Sequence, residues 1–269
     1  MADDLAAMQA YYARDEERDR LDTPVGRLEY ARTIEIVQPT LPPLPAAIAD
    51  IGGGPGRYTD WLVATGYSVI LRDIVAHHVD QVRERHGGRV DAAWGDARAL
   101  DIAGASVDGV LLLGPLYHLP SEDDRLAALR EAARIVRPGG VVYAAAISRW
   151  ATRLHGILLE RFHCDHPQLL DMVDEMERSG RLAPVHEASF TGYAHRPDDL
   201  RDEIGRAGLV VESLVGVEGP GFLLGDLAAR LDDPDERAVL LDSLRAVERV
   251  PELLGVGPHL LATARRPAQ

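Results

Sequence analysis

Short apolar runs alternate with stretches of helical periodicity along most of the chain. Ala46–Ile51, Ser68–Leu71, Val90–Trp94, Val107–Leu113 and Val141–Ser148 read as strands. Between them Tyr58–Thr65, Val75–His86 and Ser121–Val136 carry helical patterns, the last opened by Ser121 and the acids through Asp124, which suit a cap and a first turn. Pro138-Gly139-Gly140 stops that helix. Strand–helix alternation implies right-handed crossovers, hence an α/β, doubly wound, mostly parallel sheet with helices on both faces.

The beat is interrupted at three places. Leu5–Val37 reads as two helical stretches broken near Thr23-Pro24-Val25-Gly26, and the charged run Tyr11–Arg18 suits a cover better than a core. Pro39, Pro42, Pro43 and Pro45 then make a stiff extended linker. Between Trp150 and Arg196 the helical patterns Leu154–Phe162 and Pro167–Ser179 read as an inserted cap. The pattern resumes with a helix at Pro197–Ala207 and a strand at Leu209–Val215. Helical Leu223–Arg230 and Pro234–Val250 then precede a seventh strand, His259–Thr263. The expected organisation is a lid (1–38), a core (39–148), a cap (149–196) and a return to the core (197–269) with an insertion at about 220–257.

Composition narrows the chemistry. The 269 residues carry a formal charge of −14, which speaks against a nucleic-acid partner. The chain holds no Lys and no Asn, so Schiff-base lysines, a phosphate-loop lysine and Asn-linked glycosylation are excluded. All-arginine cations beside abundant Ala, Gly and Leu suit a GC-rich bacterial genome. One cysteine, Cys164, permits no internal disulfide, the start Met1-Ala2-Asp3-Asp4 is unlike a signal peptide, and the apolar runs are too short to span a bilayer. A cytoplasmic protein with no membrane partner is expected; the sequence does not set the oligomeric state.

The most informative stretch is Asp50-Ile51-Gly52-Gly53-Gly54-Pro55-Gly56-Arg57, a strand ending in a glycine turn that lets backbone approach a ligand before a helix begins. A dinucleotide fingerprint starting at Gly52 requires glycine where Arg57 stands, and one starting at Gly54 requires it at Thr59. An acid, Asp50, followed by Gly52, Gly54 and Gly56 resembles motif I of the class I S-adenosylmethionine-dependent methyltransferases. Asp73 closes the second strand and Asp96, in Trp94-Gly95-Asp96-Ala97, follows the third. Val107–Leu119, Val136-Arg137-Pro138-Gly139-Gly140 and the last strand also resemble that family, in a bacterial small-molecule branch of secondary metabolism. The resemblance implies a seven-stranded Rossmann-like sheet and S-adenosylmethionine as cofactor, with S-adenosylhomocysteine as product. It further implies that Asp73 takes the ribose hydroxyls and Asp96 the adenine amino group. Ile74, Ala97 and Leu113 complete the expected cofactor contacts, and Arg32 is a candidate for the cofactor's carboxylate, or else pairs with Glu29 or Glu35.

In such a sheet the ligand crevice lies at the carboxyl ends of the strands, which places Tyr117 and His118 beside the reacting methyl group. His118 is a candidate base, or a group that orients the acceptor. Tyr11, Tyr12 and Tyr30 from the lid, with Tyr193 and His195 after the cap, are acceptor candidates. His163-Cys164-Asp165-His166 invites a metal reading, but adjacent residues rarely converge on one ion, and an exposed junction between cap helices fits better. The residues after strand four lack the Asn/Asp-Pro-Pro-Tyr/Phe pattern of adenine or glutamine amino methyltransferases. The expected partner is a small, aromatic or heteroaromatic acceptor with a carbon, nitrogen or oxygen nucleophile. A nicotinamide-dependent oxidoreductase and a non-catalytic cofactor-binding protein are the alternatives.

Overall fold

The computed structural model describes residues 20–184 and 191–268. Seven strands form the main sheet: β1 (Ala47–Ile51), β2 (Ser68–Asp73), β3 (Val90–Trp94), β4 (Val107–Leu112), β5 (Val136–Ser148), β8 (Val210–Gly216) and β9 (His259–Arg265). They run in the order β3-β2-β1-β4-β5-β9-β8, all parallel except β9, which is antiparallel to both neighbours. The doubly wound sheet expected from the alternation is therefore present.

Period-two side-chain alternation divides the core between the two faces. Ala49, Val110 and Leu112 face one side, against Leu129 and Ile135 of α4 (Glu122–Ile135) and Ile204 of α6 (Pro197–Arg206). Ile48, Leu71 and Leu111 face the other, against Leu62 of α2 (Arg57–Ala64) and Val79 and Val82 of α3 (Ala76–His86). That second face is also covered by α1 (Pro24–Val37), which Thr23 caps by accepting from the Gly26 amide at 3.1 Å. Pro24 follows at the first helical position, where its missing N–H costs nothing. Leu28 and Val37 of α1 are fully buried, so this part of the N-terminal region packs as a layer of the fold.

The cap region differs from its expected form. A π-helix (Thr152–Leu159), a short 3-10 turn and α5 (Leu169–Ser179) fill it as helical structure. It ends in a hairpin, however: β6 (Arg181–Leu182) with β7 (Gly192–His195). β7 pairs in parallel with Ile147 and Ser148, past Ala144, the last β5 residue bonded to β4. Ile147 also pairs with His259, so β7 lies on the β5 edge opposite β9. Two short helices, α7 (Leu227–Asp232) and α8 (Pro234–Val247), fill the later insertion. Among the described residues no helix is long and apolar enough to cross a membrane.

Candidate functional site

The parallel strands direct their carboxyl ends to one rim, and antiparallel β9 brings its first residue, His259, to the same rim. Two clefts open there and share Gly52, Gly54, Gly114 and Tyr117.

The first cleft lies over β1, β2 and β3. Gly52 has φ +68°, and a Cβ there would stand 2.6 Å from the Pro115 ring, so no other residue fits this turn. Gly54, at φ +57°, faces open space, with His78 Nδ1 the nearest atom to an added Cβ at 4.0 Å. A ligand can thus lie directly on the Gly54 backbone. Asp73 sets this geometry: Oδ2 accepts from the Gly54 amide and Oδ1 from the Val75 amide, both at 2.8 Å. Asp96 accepts from the Arg98 amide at 2.9 Å and its guanidinium at 2.6 Å; against the cost of burial, Arg98 holds its carboxyl below the usual range. Ile74, Val75, Ala97 and Leu119 supply apolar wall, and His118 closes the cleft. Burial pushes His118 down to about 3, with Asp73 opposing and Arg20 reinforcing the shift. The apolar surroundings thus disfavour the protonated ring.

The second cleft lies toward β4, β5 and β9 and is dense in polar groups. Asp50 is buried and accepts from Thr59 Oγ1 at 2.7 Å; burial outweighs that bond and raises it to about 6. Arg20 pairs with Glu29, and Tyr58, Leu113, Tyr117 and His259 complete the wall. Burial disfavours a charged His259, yet Glu218 and then Glu29 outweigh it and hold the ring up at about 9. One carboxylate oxygen from each glutamate and a His259 ring nitrogen lie within 4.8 Å of one another.

The structure brings Asp50, Gly52, Gly54, Asp73, Ile74, Asp96, Ala97, Leu113, Tyr117 and His118 to these clefts. Gly56 instead occupies the N-cap of α2 at φ +87° and lines neither. Arg32 does not face the cofactor region: fully buried, it pairs with Glu35 at 2.6 Å and with Glu248, and donates to the Val217 carbonyl at 3.2 Å. The pairing alternative holds with Glu35, in the interior rather than on a solvated face. Arg20, which the sequence reading passed over, lines the second cleft together with Arg57. Tyr30 lines neither cleft and stacks on Tyr58 with centroids 5.3 Å apart. Tyr11 and Tyr12 lie outside the described residues.

Tyr193 and His195 have structural positions rather than acceptor-facing ones. His195 is fully buried and bonds Glu203 at 3.0 Å, while Arg125 sits 3.6 Å over the Tyr193 ring and Arg149 donates to its hydroxyl at 3.2 Å. Cys164 is exposed, with its sulfur 3.8 Å from His163 Nε2. Glu218 and His259 were also missed; the signal was a histidine opening an antiparallel last strand, which must emerge at the ligand rim.

Comparison with known proteins agrees with this picture. Residues 48–140, about a third of the chain, match the profile of a methyltransferase domain. An O-methyltransferase of Pyrenophora dematioidea is 30% identical over 128 residues, 44% of this chain and 46% of that protein. An O-methyltransferase of Aspergillus nomiae is 28% identical over 202 residues, covering 72% and 84% respectively. The chain spans less than half the length of the first curated relatives it matches. In fold it is similar to the 1,6-didemethyltoxoflavin-N1-methyltransferase of Burkholderia thailandensis, solved with S-adenosylhomocysteine bound, at TM-score 0.59 and 17% identity over 97% of this chain and 88% of that one. Residues 48–140 are thus similar to a methyltransferase domain, and the fold is one shared with solved methyltransferases.

Proposed function

We propose that this protein transfers a methyl group from S-adenosylmethionine to a small-molecule acceptor, aromatic or heteroaromatic, with a carbon, nitrogen or oxygen nucleophile. The observation that carries this reading is the bare Gly54 backbone beside Asp73 and Asp96, in a cleft that meets a second, polar cleft at Tyr117. The residues suit the cofactor in both places. Ile74, Val75 and Ala97 suit the faces of an adenine ring, Asp96 its amino group and Asp73 the ribose hydroxyls. Arg20 and Asp50 offer opposite charges to an amino-acid tail. When bound, the cofactor supplies an electrophilic methyl group on a sulfonium.

The chain's own contribution is to hold the nucleophile in line behind that methyl group and to exclude water. Tyr117, common to both clefts, stands where acceptor and cofactor meet. His118, neutral and half-buried, orients the acceptor by a hydrogen bond rather than taking its proton. The charge of −14 speaks against a nucleic-acid acceptor. The all-arginine cation set and lone cysteine suit a bacterial, cytoplasmic enzyme of secondary metabolism.

Incubation with deuteromethyl-labelled S-adenosylmethionine and a panel of indoles, phenols, amines and carboxylic acids tests the reading by mass spectrometry. A labelled product is expected. Calorimetry showing no binding of the cofactor overturns it.

A further inference from the structure

His259 stands beyond the adenine and ribose contacts, in the cleft that also holds Arg20 and Asp50. The glycine turn and the Asp73 and Asp96 carboxylates follow β1, β2 and β3, whereas His259 opens β9 directly beside the end of β5. Its ring is 6.4 Å from Tyr117, centroid to centroid, and it lines the polar cleft.

Its orientation is over-determined. Glu218, fully buried just after β8, accepts from the His259 backbone N–H at 3.0 Å and from ring Nδ1 at 2.6 Å. The Val217 amide donates to the His259 carbonyl at 3.0 Å and ties the same two segments together. Glu29 Oε2 stands 3.8 Å from Nδ1, on the far side of a pair with Arg20. Because Glu218 only accepts, the proton sits on Nδ1, and in the neutral ring Nε2 carries the lone pair. Among the described residues Nε2 has no hydrogen-bond partner. A carboxylate that fixes the tautomer of a histidine, whose other nitrogen is open to a ligand cleft, is the arrangement of a proton-accepting dyad.

We propose that His259, positioned by Glu218, takes the proton from the acceptor's nucleophilic atom, and that this atom is a phenol-type hydroxyl oxygen; the proposal rests on the methyl-transfer reading above. The oxygen lone pair forms the O–C bond as the S–C bond breaks, with that electron pair remaining on sulfur. The hydroxyl proton passes to Nε2 and then to solvent. A histidine held up at about 9 is nearly matched to a phenol, whose unperturbed value is about 10, so the transfer is close to balanced. His118, at about 3, offers no such match. The charged and titratable groups facing His259 are Glu218 and Glu29, which raise it, and Arg20, which lowers it. Asp50, Tyr58 and Tyr117 share its cleft. At neutral pH the ring is protonated, so the free base, and with it the rate, increases toward pH 9.

The test combines NMR titration of the His259 imidazole in the ligand-free protein with turnover of deuteromethyl-labelled S-adenosylmethionine on phenol, 1-naphthol and 5-hydroxyindole between pH 6.5 and 10. The ring is expected to titrate near 9, and lower in E218Q. Methyl ethers are expected from the wild type, with kcat rising toward pH 9. H259Q is expected to lose about a hundredfold in kcat together with that rise, and to keep its cofactor affinity within about twofold. E218Q is expected to lose about tenfold and to move the rise to lower pH, a displacement that a merely structural role does not produce. Melting curves separate misfolded variants, and H259N serves where H259Q does not fold. The proposal is overturned by an H259Q enzyme with the wild-type pH profile, or by a wild-type rate that falls as pH rises. Activity that requires a divalent cation and is lost with EDTA also overturns it. So does normal cofactor binding with no phenol methylated, an outcome that leaves the methyl-transfer reading standing.

Discussion

Two histidines flank Tyr117, one in each cleft, and their neighbours leave them shifted in opposite directions. His118 sits over the cofactor half among apolar walls and is pushed down to about 3; His259 sits over the other half between two carboxylates and is held up at about 9. Removing water disfavours the charged ring in both cases. What differs is the local company: Glu218 and Glu29 surround His259 closely enough to reverse the sign, while Asp73 only opposes the shift of His118. One half of the rim therefore offers backbone, two carboxylates and apolar wall, and the other an imidazole set between two glutamates.

The largest expected effect asks whether the two halves are divided as described. Arg32→Ala empties a fully buried site and strips the Val217 carbonyl of its donor, while Glu35 and Glu248 keep Arg245 and Arg249, and stability is expected to fall by about 3 kcal/mol in chemical denaturation. The cofactor dissociation constant should stay within about twofold. A large rise in that constant at unchanged stability returns Arg32 to the cofactor and breaks the division.

Stability against pH should show the two histidines as opposite limbs. His259 binds its proton more tightly folded than unfolded, so its stabilisation is complete below about pH 6.5 and lost as pH rises through 9, about 3 kcal/mol in all. His118 binds its proton more weakly folded, so stability falls as pH drops from about 6.5 toward 3. Asp50, raised to about 6, takes its proton in the folded state first and offsets part of that acid loss. Denaturation midpoints from pH 4 to 10 should show the alkaline limb flattened in H259Q and the acid limb flattened in H118Q. Limbs that survive both substitutions defeat the comparison.

Two smaller effects sharpen the cofactor half. Asp73→Asn keeps the shape but has a single acceptor oxygen, so either the Gly54 or the Val75 amide meets an NH2 group, and cofactor affinity in calorimetry should drop about tenfold. Gly54→Ala has room for its methyl group, so stability should fall by only about 1–2 kcal/mol, from the positive φ alone, while cofactor binding weakens. Unchanged affinity in both variants removes the glycine turn from the binding surface.

The cofactor half was the legible half. A glycine turn after an apolar run, and acids at the ends of the next two strands, are local patterns that survive without tertiary knowledge, and Gly52, Gly54, Asp73 and Asp96 all reach the cleft. The charge-handling half depends on contacts between distant segments. Local spacing offered Glu35 as a partner for Arg32, but Glu248 lies 216 residues away and the burial of the pair shows only in the fold. Glu218 and His259 are 41 residues apart and meet only because β8 and β9 pair. Tyr193 and His195 belong to β7, whose four residues are too few to display a strand's alternation and which is held by Ile147 and Ser148 of a strand far upstream.

Ile147 gives this topology a mechanical meaning. It pairs with Ala194 of the cap hairpin on one edge and with His259 on the other, so the cap and this histidine are seated on the same end of β5. The strand end is thus a shared footing for the seating of the cap and the placement of the imidazole.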